Sequence, residues 1–227
     1  QTKHSWTATM KDLPPALSEQ LQATNMQFIQ RGKELYLIGG YGYSKSAGDH
    51  ITHNKLTAVK VDCLIPAIQK GSPIAPCFRQ IADPMFAVTG GQIGRIGDTY
   101  FLVGGQRFDG RYNPMGPDHG PGFSQKYTDR ITRFRILDDG KALSVDISVS
   151  VVDKGNLHRR DFNMLPQIFP DTSVGFTVFS GVFQVGANIP FTSSVDVDAK
   201  EHRVNSAFTQ YLSHYHSAKV ALYNGSE

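Results

Sequence analysis

The sequence predicts an all-β protein built from tandem four-stranded antiparallel sheets. Two observations carry this. An apolar run closes on a glycine pair twice, in "ELYLIGG" (34–40) and in "DTYFLVGG" (98–105), with the pairs 65 residues apart. The residues around the pairs also match without a gap: Thr24 falls on Thr89, Gln27 on Gln92, Gly32 on Gly97 and Gly39 on Gly104. Each stretch is a strand, a short turn with Gly and a second strand ending in Gly-Gly, which is the pattern of a β-hairpin.

The remaining strands follow in order. "KLTAVKVD" (55–62) lies on "RITRFRIL" (130–137), with Leu56, Val59 and Val61 matching Ile131, Phe134 and Ile136. Polar and apolar residues roughly alternate there, so each is read as a third strand with one buried face. "CFRQIA" (77–82) and "ALSVDISVSVV" (142–152) are the fourth strands. A third copy runs from "NMLPQIF" (163–169) through "VGFTVFSG" (174–181), where Ser180-Gly181 stands in for the glycine pair. "SSVDVD" (193–198) and "SAFTQYL" (206–212) are read as its last two strands. "HSWTATM" (4–10) reads as the last strand of an earlier copy, and "HSAKVALYNGSE" (216–227) as the start of a further one. The units are thus 24–82, 89–152 and 163–212, with 1–14 and 214–227 as partial units, all within one domain, 1–227.

Glycine at the end of the second strand has a physical reading. A strand running into a crowded centre has no room for a Cβ, and the chain must also turn out into a loop. Gly39, Gly40, Gly104, Gly105 and Gly181 meet both needs, at a backbone-entropy cost of about 0.5–1 kcal/mol each.

Tandem four-stranded units of this kind resemble the kelch repeats of β-propellers, in the superfamily of the galactose oxidase central domain. The resemblance rests on the apolar run with Gly-Gly, on Leu56-x-x-Val59-x-Val61-Asp62, and on Trp6 ahead of Leu13-Pro14. It covers nearly the whole chain. The later copies lack the Trp, and Ser180 departs from the glycine pair. The fold implied is a propeller of about three full blades with partial blades at each end. Propellers close with four to eight blades. This predicts either flanking blades in a longer chain or self-association to complete the ring.

Composition narrows the function classes. The 227 residues are 40% hydrophobic and 19% charged, enough to bury a core. A net charge of +3, with Lys and Arg scattered, gives no basis for nucleic-acid binding. No stretch has the length of a membrane span. Cys63 and Cys77 can close a short loop as a disulfide or remain two separate buried thiols. Neither that pair nor His214-x-His216 makes a metal cluster, and no metal or other cofactor is expected. The bare Gln1 start and low charge point to a periplasmic or extracellular location.

Function is expected in the loops 41–53, 106–128, 153–163 and 182–192. The resemblance implies that these line the mouth of the propeller channel, and loops on a rigid scaffold commonly carry binding. They hold Tyr41, Tyr43, His50, His53, Arg107, Asp109, Arg111, Tyr112, His119, Arg159, Arg160 and Asp161. Aromatic rings offer stacking area and Arg a fork of donors, which suits a sugar or a protein loop. One of Arg159 and Arg160 also matches the Arg that kelch repeats place after the fourth strand, where it bonds loop carbonyls.

No nucleophile elbow, phosphate loop or zinc-helix motif occurs. Galactose oxidase resembles the fold but builds its copper site with a Cys-Tyr crosslink, and Cys63 and Cys77 lie away from the mouth loops. Sialic-acid mutarotases are similar propellers with an Arg-containing pocket; the resemblance implies that Arg107, Arg111 and Arg159 could serve similarly, although no specific motif links them. The first expectation is therefore a non-catalytic module binding a protein or carbohydrate. The second is a carbohydrate-active enzyme of mutarotase or lyase type acting at the same mouth.

Overall fold

A computed structural model describes residues 3–112 and 122–222. The described residues form two compact units. The first is drawn from the spans 1–89, 107–125 and 137–144, the second from 90–106, 126–136 and 145–227.

In chain order, helix α1 (Pro15–Leu21) precedes β1 (Gln27–Arg31), β2 (Glu34–Ile38), the hairpin β3 (Tyr41–Ser44) and β4 (Asp49–Thr52), and β5 (Lys55–Lys60). Helix α2 (Val61–Lys70) then leads to β6 (Phe78–Ala82). Strands β7 (Gln92–Ile96), β8 (Thr99–Val103), β9 (Gln106–Gly110), β10 (Phe123–Tyr127), β11 (Arg130–Asp138) and β12 (Leu143–Val152) follow. The last four strands are β13 (Asn163–Ile168), β14 (Val174–Phe179), β15 (Ser194–Val197) and β16 (His202–Asn205).

Three four-stranded sheets result, in the orders β1-β2-β5-β6, β12-β11-β8-β7 and β13-β14-β15-β16. Their recorded pairings are antiparallel. This is an all-β fold of propeller-like blades. The register repeats as well as the order: Gln27 pairs with Ile38 as Gln92 pairs with Val103.

The glycine pair is the structural reason for the repeat. Gly39 and Gly40 have φ of +65° and +92°, Gly104 and Gly105 +55° and +80°, and Ser180 and Gly181 +64° and +97°. Two successive left-handed residues turn the chain sharply out of the sheet. The second glycine then donates to the backbone entering the next sheet, Gly40 N–H to Val88 O at 2.9 Å and Gly105 N–H to Arg159 O at 2.7 Å. A Cβ on Gly39 would lie 2.0 Å from Val88 O, and one on Gly104 would lie 2.8 Å from Arg159 O. The carbonyl of the second glycine accepts from the residue on which the excursion returns. His53 N–H reaches Gly40 O at 2.8 Å, Thr128 N–H reaches Gly105 O at 3.0 Å, and Phe191 N–H reaches Gly181 O at 3.0 Å.

In the first unit, β5 is buried on both faces through Leu56, Thr57, Ala58 and Val59. Helix α1 starts on Pro15, whose fixed φ suits a first turn. It carries the buried Gln20, which donates to Gly39 O and Lys55 O at 3.2 Å each and accepts from Thr57 Oγ1 at 2.5 Å. Arg79 donates to Glu34 at 2.6 Å and to Asp138 at 2.7 Å. Burial alone would raise the Asp138 carboxyl. The bonds from Arg79, the Gly140 N–H and Tyr36 outweigh it and hold the group below the usual carboxylate range.

In the second unit, Phe101, Val103, Ile131, Leu157, Phe162, Met164, Phe176, Val178, Val195 and Val197 form one core. Gly94 in β7 lets the Phe176 ring lie where a Cβ would be, 2.4 Å away. Gln92 donates to Phe162 O, the residue before β13, at 3.1 Å. Asn163 donates in the same way to Tyr215 O at 3.1 Å, so the C-terminal stretch meets the third sheet as that sheet's own entry meets the second.

Four sequence expectations are corrected. The third strand of the first sheet ends at Lys60, because 61–70 turn into α2, whose C-cap Gly71 is left-handed. Cys63 on that helix is bonded to Cys77. The fourth strand of the third sheet is 202–205 and not 206–212. Asp198 accepts from Lys200 N–H and Glu201 N–H, and that tight turn returns the chain at once. The described residues of 3–14 and 213–222 carry no strand. The loops 41–53 and 106–128 contain the hairpins β3–β4 and β9–β10.

Replacing Gly39 by Ala should destabilise the protein by more than ~3 kcal/mol, since it adds a backbone clash to the cost of a left-handed residue. Gly48→Ala, at φ +71° with open space around it, should cost only about 1–2 kcal/mol. Urea denaturation of the two variants checks the difference.

Candidate functional site

Seven of the twelve expected site residues fall in one neighbourhood of the first unit. Residues alternate faces along β3 and β4, and the hairpin register sets Tyr43 opposite His50. The His50 ring lies 5.3 Å from Tyr43 and 5.8 Å from Tyr41. Tyr41 meets the edge of Phe108 at 5.1 Å. Phe108 stacks on Phe123 at 4.5 Å, and Tyr112 lies 5.9 Å from both. Six rings thus form one continuous network, a geometry that favours offset and edge contacts.

Side-chain-to-backbone bonds join the two hairpins that carry these rings. Thr52 Oγ1 donates to Phe108 O at 2.7 Å and accepts from Phe108 N–H at 2.8 Å. Asp109 accepts from Thr52 N–H at 3.0 Å and from Arg107 Nε at 2.6 Å. The Tyr41 hydroxyl donates to Gly110 O at 2.7 Å and accepts from Tyr112 N–H at 3.2 Å. Burial, more than the nearby Asp49 carboxylate, raises the Tyr41 phenol above its ordinary range. The bond from Tyr112 and the charge of Arg111 oppose that rise.

Exposure divides this network into supports and a contact surface. Phe108 is buried and Tyr41 half-buried, whereas Tyr43 is 56% and Tyr112 63% exposed. The exposed Arg107 and Arg111 accompany them. Exposed rings on braced hairpins can stack on a ring-shaped ligand, and exposed guanidinium groups can bond its polar substituents.

Two expected ligand residues do other work. His53 is buried, its backbone N–H bonds Gly40 O, and burial keeps its imidazole below the ordinary range against the pull of Glu19. Arg159 is 1% exposed. It donates to Asn156 O at 2.7 Å, Ser180 O at 2.8 Å and Ser193 O at 2.9 Å, and lies over the Phe191 ring at 4.0 Å. Burial lowers its guanidinium to about 10, still charged at neutral pH. Three backbone carbonyls and an aromatic face hold this buried guanidinium, so Arg159 is structural. His119 lies outside the described residues.

In the second unit, Arg160 pairs with Asp161 and donates to the Tyr127 hydroxyl at 3.1 Å. The Tyr127 ring stacks on His158 at 3.8 Å. His158 Nδ1 is 2.6 Å from Asp129. Burial would lower the Arg160 guanidinium, but Tyr127 and Asp161 outweigh it and raise the group. Sequence reasoning missed Tyr127, His158, Asp129, Phe108 and Phe123. The alternation of "QRFDG" placed Phe108 on one face of a strand, a signal that was there to use. The pairing of Asp129 with His158 spans 29 residues and leaves no sequence trace. Among the described residues, no group of three or more His, Cys, Asp or Glu could hold a metal ion, and no helix is long and apolar enough to cross a membrane.

No family model matches the chain, and no curated protein matches it. Among solved structures that match is that of YjhT, at 15% identity and a TM-score of 0.44. The match covers 81% of this chain and 46% of YjhT, so the chain spans just under half of that protein's length. The fold assignment rests on the sheets described above.

Arg159→Ala leaves three carbonyls without their donor and should destabilise the protein by ~3 kcal/mol or more. Arg107→Ala, whose ion pair is largely in solvent, should change stability by no more than about 0.5 kcal/mol. Thermal denaturation of both variants checks this separation of structural from surface arginine.

Proposed function

We propose that the chain is a kelch-like propeller module that binds carbohydrate without turning it over. The single observation behind this reading is the ring network in which Tyr43 and Tyr112 are exposed while Tyr41, His50, Phe108 and Phe123 brace them. Rigid exposed rings give stacking area at low entropic cost. Arg107, Arg111 and Asp109 supply donors and acceptors for hydroxyl or carboxylate groups. Asp109 accepts from Arg107 Nε and from the Thr52 N–H, which fixes its carboxylate between the two hairpins. A periplasmic or extracellular setting belongs to the same reading, since an oxidising compartment favours the Cys63–Cys77 bond.

One observation favours a second reading, a carbohydrate-active enzyme of mutarotase or lyase type. His158 is paired with Asp129 and stacked on Tyr127, whose hydroxyl meets Arg160. An imidazole oriented by a carboxylate is suited to proton transfer.

Glycan-array screening followed by calorimetric titration tests the proposal. Tyr112→Ala and Tyr43→Ala should each weaken binding of the best glycan by about tenfold, corresponding to ~1.4 kcal/mol of lost stacking. His158→Ala should leave that affinity unchanged. Anomerisation of a free sugar acid, followed by NMR, that vanishes in His158→Ala would instead establish the enzymatic reading.

A further inference from the structure

Strand β12 forms the outer edge of the second sheet. Edge strands present unpaired backbone groups, and natural proteins guard them by shortness, lysine, proline or a bulge. The corresponding edges β6 and β16 span five and four residues and carry Arg79, His202 and Arg203. β12 spans ten residues, "LSVDISVSVV", with no Pro, Gly or Lys and with Asp146 as its one charge.

Its alternation is complete over 143–151. Leu143, Val145, Ile147, Val149 and Val151 share one face, and Ser144, Asp146, Ser148 and Ser150 the other. Ser150 Oγ bonds Thr132 Oγ1 at 3.3 Å, and Ser148 Oγ donates to Arg133 O at 3.1 Å, so the polar row is engaged with β11. The apolar row is open at its middle, where Ile147 is 48% and Val149 46% exposed.

The sequence of this row selects its partner. An antiparallel copy of the strand centred on Ile147 sets Leu143 opposite Val151, Ser144 opposite Ser150, Val145 opposite Val149 and Asp146 opposite Ser148. Apolar meets apolar and polar meets polar along the whole register, and the one charge never meets its own copy. A one-residue slip would place apolar against polar throughout. Centring the pair on Asp146 would oppose two carboxylates, which is destabilising. We infer that β12 is a self-complementary edge through which two copies of this chain join across a two-fold axis at Ile147. Such an isologous contact closes on itself and generates a dimer. It goes beyond the glycan-binding proposal and does not depend on it.

Sedimentation equilibrium of the full chain should give twice the chain mass. Ile147→Lys places a guarding charge at the axis and should return the mass to that of one chain, with far-UV circular dichroism and thermal midpoint retained. Ile147→Cys should form an interchain disulfide under mild oxidation, since residues facing across such a ladder have Cα atoms about 4.5–5.5 Å apart, within disulfide reach. The chain's two cysteines are already bonded to each other, so the new thiol reports alone. Val151→Cys, which faces Leu143, should not crosslink to its copy. A single-chain mass for the unsubstituted protein would overturn the inference. So would a dimer that survives Ile147→Lys, or a folded Ile147→Cys protein that does not crosslink.

Discussion

The fold depends on one repeated backbone contact, in which a left-handed residue at the end of a blade's second strand donates its N–H to the chain entering the next blade. It is made from Gly40 to Val88 and from Gly105 to Arg159. Two strands of backbone can come that close only where no Cβ intervenes, and the distances at Gly39 and Gly104 leave no room for one. The same residues turn the chain outward. Their carbonyls then receive the returning chain at His53, Thr128 and Phe191. One local constraint therefore fixes where a blade ends, where its excursion begins and where that excursion comes back.

The carbonyl of the first residue of each pair must also be satisfied, and the three pairs solve this with three different side chains. Gln20 reaches Gly39 O, Thr128 Oγ1 reaches Gly104 O at 2.7 Å, and Arg159 reaches Ser180 O. The geometry of the acceptor is constant while the donor varies in type and in chain position. Buried carbonyls left without donors are costly, and each blade meets that demand with whatever side chain its own surroundings supply. The rings of the candidate site inherit their rigidity from this arrangement. β3 begins directly after Gly40 and β9 directly after Gly105, so both aromatic hairpins start from anchored points.

The blades were legible in the sequence because hairpins write themselves locally. Gln27 and Gln92 occupy the same register position that the gap-free match gave them. Strand β16 was misplaced because its turn is set by Asp198 bonding two successive N–H groups, a device that carries no Gly or Pro. Helix α2 was missed because Val61 and Asp62 continue the alternation of β5, and only the fold shows where the strand stops. In the candidate site, residue type alone could not assign roles to the two arginines, and burial had to separate Arg159 from Arg160. Adjacent arginines are equivalent in sequence. One is buried against three carbonyls under Phe191, and the other, half-buried, meets Tyr127 and Asp161.

Native-state hydrogen exchange on the amides of Gly40 and Gly105 tests this account most directly. If the bonds to Val88 O and Arg159 O anchor these turns, both amides should exchange only through the largest opening reactions, with protection comparable to the central strands β5 and β8. Exchange at the rate of the exposed turns around Gly48 or Gly140 would contradict it, because the fold would then be held without the contact on which everything here is built.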